Sequence, residues 1–320
     1  MKTIITSLIL LGLCSCQHAL QRKPLEMYEY CRSVRKEMQK LPDFSEQKYK
    51  DAIDLKYNSV FKGQKPATEA YTDETLKQAF AMYDTLSFYT LENRYLSGLE
   101  SVFTELRNRG LERNTCKINR RKSTCVEDMF SAYINQGELL SAKRLQNEYH
   151  EVFLSTEQVP DTREPAEYLG NAWNLYSVSA EGKYFNLQPV DLKTKPVMVA
   201  IMSTDCHFSR HILQSLLADP ELKRDFENYA IIVLPINASL SFIPEVVNWN
   251  SKNPKLPFRI YSARQDLRHG WEKFDFTSIP QFYFLKGGET VEYIGGWGPN
   301  DEEFTAKLYN GFKKLKTDQQ

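Results

Sequence analysis

The chain has no excess charge of either sign. Lysine plus arginine and aspartate plus glutamate each total 41, so the balance gives no reason to expect nucleic acid or a strongly charged membrane surface as partner. It also has no long hydrophobic run. The most apolar stretch, Ile4 to Leu13, is too short to span a bilayer as a helix, and no later segment is apolar enough to do so. No glycine-rich phosphate loop and no Ser-His-Asp constellation is readable. Cysteine is scarce, with 6 in 320 residues, so each one carries information. Aromatic residues are plentiful: 18 Tyr and 18 Phe can build a substantial core.

Lys2 followed by the short apolar run reads as a signal-peptide core. Leu13-Cys14-Ser15-Cys16 resembles a bacterial lipobox, with Leu at −3, a small residue at −1 and Cys at +1. The rival Leu11-Gly12-Leu13-Cys14 puts a bulky Leu at −1 and fits worse. The resemblance implies a signal peptide over residues 1–15 and a lipid anchor on Cys16. Multiple acyl chains such as palmitate would hold the protein stably to a membrane. Residue 17 is Gln rather than Asp, which favours the outer membrane of a bacterial cell envelope, facing the periplasm. The plainer alternative is an ordinary cleaved signal peptide.

After such processing, Cys31, Cys116, Cys125 and Cys206 remain besides Cys16. An exported protein tends to pair its thiols, and four thiols allow three complete pairings. Cys116 and Cys125 flank a basic turn, Lys117 to Lys122, and are the natural pair. In the loop-closure picture a ring of that size stabilises by about 2.7 kcal/mol. Cys31 and Cys206 are then left over.

Roughly 305 processed residues exceed one typical domain. From Pro24 to Leu154 the pattern is helical, suiting five or six helices in antiparallel hairpins. Ala142, Leu145, Tyr149, Val152 and Phe153 form one stripe; Met129, Phe130, Tyr133 and Ile134 form another. Thr124-x-x-Glu127 resembles a capping box ahead of the second stripe, and Gly137 closes it. Polar, proline-bearing residues from Ser155 read as a linker. Beyond it strands and helices alternate: Tyr184 to Leu187, Val197 to Met202, Ala230 to Leu234, Gln281 to Leu285, Val291 to Ile294, then a helix from Asp301 to Lys313. The expected order is a signal peptide at 1–15, a helical domain at 16–154, a linker at 155–179 and an α/β domain at 180–320.

The apolar run Val197 to Met202 leads through Thr204-Asp205 to Cys206-His207-Phe208-Ser209 and a helical stripe of Ile212, Leu213, Leu216 and Leu217. Much later, Ser278-Ile279-Pro280 opens another strand. A cysteine at a helix N-terminus opposite a strand-opening proline resembles the thioredoxin fold, over about residues 180 to 315. The closer likeness is to its exported, membrane-anchored thiol-disulfide oxidoreductases. That subgroup inserts residues before the proline strand, as Asn237 to Phe276 can do here. The resemblance implies an α+β multidomain fold class: an all-α N-terminal domain, then a thioredoxin-like α/β domain. The usual C-x-x-C is C-x-x-S, so the attacking thiol is kept and the resolving one is absent.

The resemblance makes Cys206, Ser209 and Pro280 the catalytic set, with His207, Phe208 and Ile279 beside the substrate. A helix N-terminus favours the thiolate, the nucleophilic form. Protonated His207 would add to this; Asp205, where thioredoxins usually carry Trp, would oppose it. Ser209 can donate a hydrogen bond to the thiolate but cannot break a mixed disulfide. Pro280, cis in that family, would leave the Ile279 backbone free to pair with an extended client. The expectation is thiol–disulfide exchange or isomerisation on periplasmic clients, without cofactor or metal. The alternative is a non-catalytic binding or scaffold module. Ser203-x-x-Cys206 resembles part of the peroxiredoxin motif, but Val199 stands where that family has proline. His207 and His211, at i and i+4, have a spacing that can hold zinc or copper.

Overall fold

The computed structural model describes residues 21–38, 40, 46–62, 68–116, 123–235, 240–276, 278–296 and 301–317. The expected signal peptide and Cys16 lie outside them, as does the basic turn Lys117 to Lys122. The chain divides into two compact units, Met1–Gln136 and Gly137–Gln320.

The first unit is helical among its described residues. α1 covers residues 21–38, followed by α2 (Glu46–Phe61), α3 (Asp73–Thr90), α4 (Asn93–Asn108) and α5 (Cys125–Gln136). α3 starts where the Thr72 hydroxyl accepts the Thr75 N–H at 3.2 Å, with Asp73 and Glu74 at the positive end of the helix. α4 buries Tyr95, Leu96, Leu99, Val102, Phe103 and Leu106, an i, i+3, i+4 stripe. Gly98 lies on that helix because the ring of buried Tyr83 occupies its side-chain space: a Cβ would stand 2.3 Å from a ring carbon. The Thr124 capping box forms in both directions. Thr124 N–H donates to Glu127 Oε2 at 2.7 Å, and Glu127 N–H to Thr124 Oγ1 at 3.3 Å. α5 then buries Met129, Phe130 and Ile134 and stops at Gly137, whose φ of +76° suits glycine. Cys116 and Cys125 are joined as a disulfide, with Cα atoms 5.2 Å apart.

The second unit begins with α6 (Leu139–Glu148). Residues 139–154 therefore group with the sheet rather than with a helical domain running to 154. Gln146 is the physical link: its amide donates to Glu157 O at 3.0 Å and accepts from Val159 N–H at 3.1 Å. Lys143 pairs with Asp161. The stripe ending at Phe153 is only partly helical. After Glu148 the chain makes tight turns, with Val152 N–H bonded to Tyr149 O and Phe153 N–H to His150 O. Tyr149 and Phe153 are buried as the periodicity requires, because successive turns keep the same side down.

The segment expected as a linker, 155–179, carries two strands of the sheet instead. These are β1 (Asp161–Arg163) and β2 (Asn174–Val178). Leu175 and Tyr176 of β2 are buried, and apolar burial outweighs the polar, proline-bearing composition around them. The sheet continues with β3 (Tyr184–Pro189), β4 (Val197–Ile201), β5 (Ala230–Pro235), β6 (Phe258–Tyr261), β7 (Gln281–Lys286) and β8 (Glu289–Gly295). Helices α7 (His207–Ala218), α8 (Pro220–Tyr229), α9 (Phe242–Lys252) and α10 (Asp301–Lys316) connect and close it.

Strand order is β1-β3-β2-β6-β5-β4-β7-β8. β4, β5 and β6 run parallel, while β7 and β8 are antiparallel additions beside β4. All five residues of β4 are buried, as a parallel strand covered on both faces must be. Phe282 and Phe284 project to α10, with ring centroids 5.4 Å from Phe304 and 5.3 Å from Phe312. Gly311 clears the Phe284 ring. The β5-β4-β7-β8 core is entered from β4 through α7 and left through α10, the strand and helix order expected from the sequence. β6 and α9 fill the insertion between Asn237 and Phe276, and β1 to β3 extend the sheet past β6.

Candidate functional site

Register brings the site together. Ile201 at the end of β4 lies opposite Gln281 at the start of β7. The residues after Ile201 and those before Gln281 therefore meet at one end of the sheet. Past Ile201 the chain turns tightly: Met202 N–H bonds Val233 O at 2.9 Å, and Cys206 N–H bonds Ser203 O at 3.2 Å. The Ser203 hydroxyl accepts Asp205 N–H at 3.2 Å. Cys206 emerges as the N-cap of α7, with φ −80° and ψ 123°, and its carbonyl accepts Arg210 N–H at 3.0 Å. Its thiol is free and half-buried, and its side chain makes no capping hydrogen bond.

His207 and Phe208 are exposed, their ring centroids 5.8 Å apart edge to face. Phe208 keeps 48% of its surface in water beside the Cys206 corner. Ser209 is fully buried, and its Oγ accepts Ser203 N–H at 3.2 Å. This hydroxyl braces the turn, a role beyond the bond to sulfur expected from the sequence.

Across from them the Ile279–Pro280 peptide is cis. Pro280 is buried, Ile279 is half-buried, and the Pro280 carbonyl accepts Gly296 N–H at 2.9 Å. Gln281 anchors this corner. Its amide nitrogen donates to Asp275 Oδ2 at 2.9 Å, and its oxygen accepts from Tyr283 OH at 3.2 Å and from Tyr293 OH at 2.5 Å. Burial pushes both phenols up, so they stay donors. Sequence reasoning missed this network, although Gln281, Tyr283 and Tyr293 all sit at same-face strand positions. It also missed Thr204 and Arg210. Thr204 is buried with no partner for its Oγ1 among the described residues. Arg210 sits one turn beyond Cys206 on the same helix face, a position the i, i+4 rule could have flagged.

The remaining cysteines belong to the first unit. Cys116 and Cys125 are bonded, and Cys31 is buried and free. Burial pushes the Cys31 thiol up to about 12, which removes it from thiolate chemistry. Among the described residues no group of three or more His, Cys, Asp or Glu could hold a metal ion. No described helix is long and apolar enough to cross a membrane. Chemically, the corner offers one accessible thiol and a buried hydroxyl three residues on. Such a pair can attack a disulfide and cannot close one internally.

No protein-family model matches the chain, and no curated protein matches it. Among solved structures, it is similar to a thiol:disulfide interchange protein of the thioredoxin family from Chlorobium tepidum, at 16% identity and a TM-score of 0.30. That match covers 46% of this chain and 96% of the other. It is also similar to the exposed lipoprotein thioredoxin of Streptococcus pneumoniae, at 18% identity over 44% and 99% of the two chains, with a TM-score of 0.30. A thioredoxin-like protein from Bacteroides caccae aligns over 93% of this chain and 94% of its own, at 12% identity and a TM-score of 0.27.

Proposed function

We propose that the second unit exchanges disulfides on periplasmic client proteins through Cys206, and that the chain is an outer-membrane lipoprotein anchored through Cys16. The observation that carries the exchange reading is the half-buried free thiol at the start of α7, at the sheet end that also bears Ile279–Pro280. The Cys206 thiolate attacks one sulfur of a client disulfide. A Cys206–client disulfide forms, and the other client sulfur leaves as thiolate with the electron pair. With no second cysteine in the C-x-x-S motif, the mixed disulfide ends when a client thiol or another thiol attacks it. Return by the client's own thiol isomerises the client with no net oxidant.

The half-buried Ile279 beside the cis Ile279–Pro280 peptide motivates a second reading, a module that holds an extended client without chemistry. Non-reducing gels of envelope extracts separate the two. Exchange predicts Cys206-dependent adducts, lost in Cys206→Ala and reduced in Ser209→Cys. An adduct-free chain whose Cys206→Ala variant keeps its phenotype leaves the binding module. The anchor is tested by fatty-acid labelling, which Cys16→Ser should abolish; a label removed by Cys14→Ser instead moves the site.

A further inference from the structure

Ile279 carries the backbone expected to meet an extended client, and the chain at that point holds itself weakly. Pro280 lacks an N–H, so this position gives the ladder only its carbonyl, which accepts Gly296 N–H at 2.9 Å. Side chains supply the rest. Asp275 and Gln281 stand on either side of Ile279 in the chain, and the Gln281 amide ties them together by donating to Asp275 Oδ2 at 2.9 Å. The Tyr283 hydroxyl accepts Asp275 N–H at 3.0 Å and donates to Gln281 Oε1 at 3.2 Å, which closes a ring of hydrogen bonds. Tyr293 adds a second donor to Gln281 Oε1 at 2.5 Å. Gln281 and Tyr283 are buried, and Gln281 uses both ends of its amide. A buried polar network satisfied in this way specifies one geometry. Register lets it form, because Gln281 lies opposite Gly295 and Tyr283 opposite Tyr293. Glycine at 295 leaves the path clear: a Cβ there would stand 2.5 Å from the Tyr293 hydroxyl.

We infer that Gln281 is a positioning residue for polypeptide clients. Through Asp275, Tyr283 and Tyr293 it holds the Ile279 backbone in one place, so that an extended client strand can pair with it while Cys206 attacks the client's disulfide. The inference rests on the exchange reading of Cys206 and adds a substrate class. A disulfide within extended polypeptide is favoured over a small disulfide that offers no backbone to pair. Gln281 touches neither sulfur. Its contribution is an edge already ordered before the client arrives, so that less freedom is lost on binding.

The test uses the full chain with Cys14→Ser and Cys16→Ser, so that Cys206 is the accessible thiol. Two probes share one leaving group. One is the mixed disulfide of 2-mercaptoethanol with a valine- and threonine-rich heptapeptide bearing a central cysteine; the other is the symmetrical disulfide of 2-mercaptoethanol. In each, the Cys206 thiolate attacks a sulfur, a Cys206 disulfide forms and 2-mercaptoethanol leaves as thiolate. Mass spectrometry follows both adducts. The quantity read is the ratio of the peptide rate to the small-disulfide rate, from which the thiolate fraction of Cys206 cancels. Gln281→Leu should lower the ratio roughly fivefold, the weight of one hydrogen bond. Tyr293→Phe, which removes a donor, and Gly295→Ala, which displaces it, should lower it less. Tyr293 is 49% exposed, so its variant decides the matter where Gln281→Leu fails to fold. Asp275→Asn keeps an oxygen for the Gln281 amide and should retain the ratio that Asp275→Ala loses. A purely structural role would lower the melting temperatures of these variants and leave the ratio in place, and that result overturns the inference. A parent chain whose Cys206 reacts with neither probe refutes the exchange reading itself, and the role of Gln281 with it.

Discussion

The two free thiols should differ in reactivity by a margin large enough to count. At pH 8 a thiol with the ordinary value of 9.0 is about one-tenth thiolate, whereas Cys31 at about 12 is about one ten-thousandth. Against an unperturbed thiol, thiolate fraction alone therefore slows Cys31 roughly a thousandfold, before its complete burial is counted. In a Cys14→Ser, Cys16→Ser background, native protein should show one fast thiol, lost in Cys206→Ala. A second should appear only in denaturant. The same group fixes a sign at high pH. The folded value is raised, so the unfolded chain loses its proton first. Stability is intact below about 9 and declines as pH climbs toward 12, by roughly 3 kcal/mol at pH 11 from this group. Urea midpoints between pH 8 and 11 should fall less steeply in Cys31→Ala, which also starts lower because it opens a small cavity. Two thiols reacting at similar rates in the native protein would refute the reasoning, as would an unchanged alkaline slope in Cys31→Ala.

Gly98→Ala and Gly311→Ala should each destabilise by about 1–2 kcal/mol in urea, against helix propensity, because the added methyl meets the buried rings of Tyr83 and Phe284 at 2.3 Å. Equal or raised midpoints would mean the rings can move aside. Glu164→Gln should cost about 1–3 kcal/mol, since Arg264 holds Glu164 with bonds of 3.0 and 2.7 Å and would keep Asp266 as its one carboxylate partner among these. Burial alone would raise the Glu164 carboxyl, but Arg264 and Tyr176 hold it below its ordinary value. Its contribution is therefore present above that ordinary value and lost as pH falls through the lower folded one, and acid titration of Glu164→Gln should lack this phase. Reducing the Cys116–Cys125 bond should remove about 2.7 kcal/mol from the first unit, seen as a lower thermal midpoint with dithiothreitol.

What the sequence disclosed of the fold follows the range of each signal. Val197 to Ile201 is apolar throughout and is followed by a helical stripe, so the strand, the corner and Cys206 were readable from neighbours alone. The Thr124 box and the Gly137 stop are local too. β6 was missed because Phe258-Arg259-Ile260-Tyr261 is four residues long inside a forty-residue insertion, and its pairing partners Ile232 to Pro235 lie far upstream. β2 was missed although its hairpin partner β3 begins six residues on; only its other edge, Tyr176 and Ser177 with Ile260 and Arg259, depends on residues more than eighty on.

Ser209 shows how a position can be read correctly in the motif and incompletely in the structure. The C-x-x-S pattern states only that a resolving thiol is absent. The buried Oγ, bonded to the Ser203 amide, gives the hydroxyl a second task in holding the turn that presents Cys206. Sulfur accepts hydrogen bonds weakly, so Ser209→Cys would trade about 1 kcal/mol of loop support for a resolving thiol. A loss of adducts in that variant therefore has two sources, faster resolution or a displaced Cys206. They part on one observation: resolution leaves Cys206 bonded to the newly introduced sulfur, and displacement leaves two free thiols.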